Sequence, residues 1–301
     1  EISFFEKFFF FSFLKNIFKI RSNILKPHDI YFDEKNCMYI SQMGFGNKKG
    51  HGKVTVISTN KNIKYEIGLS ENNHVGLIDP VMTFVNKNIT YVSENGANKI
   101  LRYNKKKFKD WIGNKKYKNS FISKNNLFIN INLNKPHAVK VSRSGDIFIA
   151  DTKNHRICKF SKNGVFVGWI GKRSDGTINN NWSIKGKSIA GFELGAFNRP
   201  IDIILKNFEI YISDCFNNRI VKVSLNGKSI CWFGQTSNNK NNNYIWNNTG
   251  KSISSNSLKG LNNPYSIKLV KDRLYIADKQ NFRIKIIKNI NQNFKRDIKE
   301  N

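Results

Sequence analysis

Period-two alternation of apolar and polar positions, broken by tight-turn residues, runs through most of this chain and predicts short strands. The stretch from Pro136 to Gly171 shows the unit most clearly. Ala138-Val139-Lys140-Val141 reads as one strand, Ser144-Gly145-Asp146 as a tight turn, and Asp146-Ile147-Phe148-Ile149-Ala150 as the next strand. A polar turn leads into Arg156-Ile157-Cys158-Lys159-Phe160. Asn163-Gly164 then predicts a two-residue hairpin loop with positive φ at both central residues. Val165 to Ile170 makes the fourth strand. Four short antiparallel strands with tight turns form one small sheet.

The unit recurs. All five prolines, Pro27, Pro80, Pro136, Pro200 and Pro264, stand just before a strand-like stretch. Four units then carry a second strand ending in a carboxylate, a polar turn, and a basic residue followed by isoleucine. The carboxylates are Glu94, Asp151, Asp214 and Asp278, spaced by 57, 63 and 64 residues, and the basic residues are Lys99, Arg156, Arg219 and Arg283. Asn226-Gly227 repeats the hairpin signal. Three fourth strands end in Trp111-Ile112-Gly113, Trp169-Ile170-Gly171 and Trp232-Phe233-Gly234, where the indole is expected to pack between neighbouring units. One such unit cannot bury its own apolar face, so units must stack, and radial stacking of four-stranded blades gives an all-β propeller. Five repeats are readable. An open ring exposes strand edges. The expectation is therefore six blades, the irregular one drawn from residues 1–22, from 114–132 or from further chain; five blades is the alternative. The domain reading is a Phe-rich basic segment over 1–22, the propeller over 23–290 and a polar tail over 291–301.

Composition changes this picture little. In 301 residues, Lys plus Arg number 51 and Asp plus Glu 21, a formal charge of +30. That balance favours polyanionic partners such as nucleic acid, anionic lipid or acidic glycan. Against this, Lys, Asn and Ile are abundant everywhere, and lysines are spread along the sequence, with small clusters at Lys48-Lys49 and Lys105-Lys106-Lys107. Residues 4–20 are dense in Phe. As a helix they place Ser12, Lys15, Asn16 and Lys19 on one side, which suits packing on the array, contact with a membrane surface or the remainder of a targeting segment. Glu6, Lys7 and Lys15 interrupt the apolar run, so it is too short to span. The chain opens on Glu1 and not on Met, which reads as a truncated terminus, and the compartment is left open between cytoplasmic and exported. Cys37, Cys158, Cys215 and Cys231 form no C-x-x-C pair and no zinc spacing with His; a buried free thiol is expected at Cys158.

Specific residues carry a family resemblance. The turn Asp151-Thr152-Lys153-Asn154-His155-Arg156-Ile157, its copies at Asp214 to Ile220 and Asp278 to Ile284, and the lead-in Gly195-Ala196-Phe197-Asn198-Arg199-Pro200 resemble the NHL-repeat family. The resemblance covers about residues 23–290. It is specific in units three to five, looser in unit two and weakest in unit one, where Ser41-Gln42 and a Gly-rich stretch replace the turn. It implies a propeller whose first strands line a central channel. The long connections at 114–135, 172–199 and 235–263 are then expected on one face, where binding loops are commonly built.

Candidate chemistry follows from the residue after each proline: His28, Val81, His137, Ile201 and Tyr265. Within the wider propeller family, this looks distantly like the peptidylamidoglycolate lyase type, where Pro-His steps on alternate blades bind zinc. His28 and His137 match, and Tyr265 takes the third channel position. Gly96, Phe216, Thr152 and Lys279 stand where that lyase's remaining residues would be, so its chemistry is not implied. Two imidazoles with an open side can hold Zn or Ca if water or a carboxylate completes the shell; the competing reading is a structural His pair. Asp29 and Asp202 alternate away from their His or Ile neighbours. The recurring carboxylates read as turn caps paired with arginine, because catalysis needs a unique constellation and these are copies. His155 reads as an exposed turn residue. No Ser-His-Asp spacing, phosphate loop or H-E-x-x-H is present. Three functions are carried forward, with no catalytic residue assigned. The leading one is a non-enzymatic scaffold that binds a protein, peptide or glycan through one loop face. The others are a metal-dependent lyase or hydrolase at His28 and His137, and RNA binding by a basic face.

Overall fold

The computed structural model describes residues 27–44, 52–60, 62–68, 77–113, 131–237, 246–288 and 290. The Phe-rich segment, the polar tail and most of 114–132 lie outside the described residues. The chain divides into two compact units, Glu1–Trp111 and Ile112–Asn301.

The first unit holds two blades. Blade 1 runs Pro27–Phe32, Met38–Gln42, Lys53–Ile57 and Ile63–Ile67, paired in that order. Blade 2 runs Pro80–Asn86, Ile89–Glu94, Lys99–Asn104 and Lys107–Gly113. Cys37, Tyr39, Val54, Val56, Leu77, Val92, Leu101 and Trp111 form one buried core there.

The second unit holds three blades. Blade 3 runs Pro136–Val141, Ile147–Asp151, Arg156–Phe160 and Phe166–Arg173, and the connection after it adds Ile178–Ser183 and Ser188–Ile189 to the same sheet. Blade 4 runs Pro200–Lys206, Glu209–Asp214, Arg219–Ser224 and Ser229–Phe233. Blade 5 has three strands among the described residues, Pro264–Val270, Arg273–Asp278 and Arg283–Ile287. Blades 4 and 5 share a core in which Tyr211, Ile220, Cys231 and Phe233 pack with Ile267, Leu274, Ile276 and Ile287.

The fold class is thus an all-β propeller, and five blades are present among the described residues, as the alternative reading had it, rather than six. Each blade opens on its proline, where the missing N–H is tolerated. In blades 2 to 5 that proline lies opposite the turn carboxylate, and the register shifts immediately afterwards. The hairpins differ from expectation. Only the glycine of each Asn-Gly pair has positive φ, 80° at Gly164 and 98° at Gly227. Gly164 N–H donates to the Ser161 carbonyl, Gly227 N–H to that of Ser224, and the ladders shift at Lys159/Phe160 and Lys222/Val223. A longer loop with a bulge needs only one left-handed residue. All four cysteines are free and buried.

Candidate functional site

The carboxylate turns are built alike in blades 3, 4 and 5. Asp151, Asp214 and Asp278 each precede a single 3-10 turn that closes on a left-handed residue: His155, Asn218 or Phe282, at φ 53°, 52° and 50°. One carboxylate oxygen accepts the backbone N–H of Asn134, Asn198 or Asn262, each at 2.7 Å. The other accepts from Asn154, Asn217 or Asn281 and from Arg156, Arg219 or Arg283. The same Asn and Arg side chains also donate to backbone carbonyls of the connection entering the blade. Asn217 reaches Gly191, Arg219 reaches Phe192, Glu193 and Ala196, Asn281 reaches Ser255, and Arg283 reaches Asn256, Ser257 and Gly260. The repeated carboxylates therefore hold loops in place, as their repetition predicts. Each arginine also lies over its own blade's fourth-strand indole in blades 3 and 4, at 5.9 Å from Trp169 and 5.8 Å from Trp232.

Blade 2 departs from this scheme. Glu94 accepts backbone N–H bonds from Ile78, Asp79 and Gly96. Lys99 takes the arginine's position with its ammonium 4.6 Å from the Trp111 ring. Burial pushes the Glu94 carboxyl up to about 7, against the opposing backbone hydrogen bonds.

The predicted channel residues are placed as follows. His137 is buried, and its Nε2 lies 2.8 Å from the Tyr265 hydroxyl, with the two rings perpendicular. The Lys279 ammonium sits 4.6 Å from the Tyr265 ring. His28 belongs to the first unit, where its Nδ1 lies 2.8 Å from the Val81 carbonyl oxygen. A carbonyl only accepts, so Nδ1 carries the proton. Among the described residues, no three His, Cys, Asp or Glu side chains gather as a metal-ligand group.

Sequence reasoning missed the clips between blades. Asp29 accepts the backbone N–H of Thr83 from blade 1 to blade 2. Asp202 accepts that of Ile267, and the Ser266 hydroxyl, from blade 4 to blade 5. Both aspartates stand two residues after their proline. Thr152 donates to the Pro200 carbonyl and Ser213 to that of Tyr265. His155 is half-buried and not an exposed turn residue. Its Nδ1 accepts the N–H of Arg199, while Asn218 accepts that of Asn263. Burial, reinforced by Arg199, lowers the His155 pKa. Phe282 stands at the same position in blade 5, has no acceptor, and is 92% exposed.

These turns meet Gly191–Ala196 and Ser255–Gly260 of the incoming connections at one end of the blades of the second unit, while Ile178–Ser183 runs back along blade 3 as far as Leu225. The face they form presents cations over aromatic rings. Arg199 lies 4.4 Å from the Phe216 ring, Lys279 4.6 Å from Tyr265 and Lys251 5.1 Å from Phe192.

Comparison with known proteins bears on the fold. Residues 133–160 match the NHL repeat. The chain is 35% identical over 115 residues to NHL repeat-containing protein 2 of Gallus gallus, a stretch covering 38% of this chain and 14% of that protein's length. Among solved structures, an auxiliary nutrient binding protein from Bacteroides ovatus superposes with a TM-score of 0.54 at 14% identity, covering 88% of this chain and 60% of the other. A streptogramin B lyase gives 0.50 at 17% identity, covering 87% and 65%. Both similarities concern the fold.

Proposed function

We propose that this β-propeller, which carries a match to the NHL repeat over residues 133–160, is a binding scaffold that engages a protein, peptide or glycan through the turn face of its second unit. One observation carries the reading. The connections entering blades 4 and 5 are held by Asn217, Arg219, Asn281 and Arg283 through their backbone carbonyls, so the recurring polar residues are used in construction while connection residues such as Phe192 and Lys251 stay exposed. Loops fixed on a rigid sheet are suited to recognition. A photo-reactive residue placed at Lys153 or Gln280, on the turn face, should form macromolecular adducts in cell extract. The same group at Lys162, in the opposite hairpin, should not. Equal labelling from both ends would overturn the proposal.

The His137–Tyr265 contact favours a second reading, a small-ligand or metal site at that pair within the second unit. Elemental analysis of the purified chain tests the metal form of it. Near one equivalent of Zn or Ca, lost in His137→Ala, supports it; metal-free protein dismisses it.

A further inference from the structure

The turn face of the second unit has an uneven charge economy. Its recurrent carboxylates, Asp151, Asp214 and Asp278, are fully buried beneath it. Lys153, Arg199, Lys251 and Lys279 are exposed on it. Glu193, a carboxylate on the connection into blade 4, is paired with Lys172. Three aromatic rings of the face are each met by a cation: Phe216 by Arg199, Tyr265 by Lys279 and Phe192 by Lys251. Phe282 adds an exposed aromatic side chain in the left-handed region, a conformation unusual for a bulky residue.

We propose that this face binds an acidic polypeptide segment in which carboxylates alternate with large apolar side chains, a partner chemistry that rests on the scaffold reading above. A carboxylate meets Arg199 or Lys279 where each cation already stands, and a bidentate pair with the guanidinium adds orientation. An apolar side chain between two carboxylates finds the exposed Phe282 ring. Aromatic and Arg side chains of this kind are the usual anchors of protein interfaces. A nucleobase is served less well. It would have to displace a cation to stack on the covered side of Phe216 or Tyr265. A second copy of a chain carrying +30 is opposed by like charge.

The test uses the full chain and a fluorescein-labelled peptide of repeating Glu-Glu-Leu-Phe, with a Lys-for-Glu peptide and a single-stranded oligouridylate as comparisons, read by anisotropy at near-physiological salt. The acidic peptide should bind, and Arg199→Glu/Lys279→Glu should weaken it at least tenfold. Lys162→Glu/Lys228→Glu carries the same charge change into the opposite hairpins and should weaken it less than threefold. Phe282→Ser should weaken it about fivefold without changing the salt dependence. Equal losses in the two charge-reversed variants would mean net charge alone and overturn the proposal, as would tighter binding of the oligouridylate. Failure of the peptide while turn-face adducts persist would overturn the acidic-segment assignment and leave the scaffold reading standing. Loss of both would remove the two together.

Discussion

Arg219 and Asp214 meet at 2.8 Å with neither side chain reaching solvent. The same pair recurs as Arg156–Asp151 and Arg283–Asp278, but the arginine side chains are 14% and 31% exposed there. Removing one partner of a buried pair strands the other, at a cost of about 3–5 kcal/mol. Arg219→Met should destabilise by roughly that amount, Arg156→Met by less and Arg283→Met least, in denaturant titrations. An inverted order would show that the pairs are not graded by burial.

Asp202 ties blade 4 to blade 5 through the Ile267 N–H at 2.9 Å, and it is buried. Asp202→Ala leaves that amide without its acceptor, at a cost of about 1–3 kcal/mol. Hydrogen exchange at Ile267 should accelerate more than at Ile276, whose strand pairs on both sides within its own blade.

Glu94 makes the first unit sensitive to pH. Burial lifts its carboxyl to about 7 from a reference of 4.5. Between those values the folded protein holds a proton that the unfolded chain releases. The contribution to stability is therefore full below 4.5, declines as pH rises towards 7 and is lost above it. Asp79 adds to the repulsion, and the arginine's position is taken by Lys99, whose ammonium lies 4.6 Å from the Trp111 ring. Glu94→Gln should flatten the stability profile between pH 5 and 8. An unchanged slope would assign the titration to another group.

Burial pushes the Cys158, Cys215 and Cys231 thiols up to about 12. The thiolate is the reactive form. Iodoacetamide at pH 8 should leave these three unmodified in the folded protein and label them in urea. Rapid labelling of Cys215, which borders the turn face, would indicate that the turn opens.

What was legible in the sequence was whatever one repeat states by itself. Asp214, Asn217 and Arg219 lie within six residues of one another, so their turn is a local signature, and copies of it marked the blades. Asp202 and Ile267 lie in different repeats separated by a connection of arbitrary length, and no local pattern announces their bond. His155 misled for the same reason: its partner, Arg199, belongs to the next blade. The sixth blade was inferred from the need to protect strand edges, a constraint that does not specify a number. His137 and Tyr265 both follow a proline at the start of a first strand, and the two side chains lie 2.8 Å apart.

The turn arginines and asparagines grip main-chain oxygens of the incoming connections. A main-chain oxygen is the same whatever residue bears it. The frame can therefore hold these loops at fixed heights while their exposed side chains are exchanged, so what such a propeller recognises can change without renegotiating how it folds.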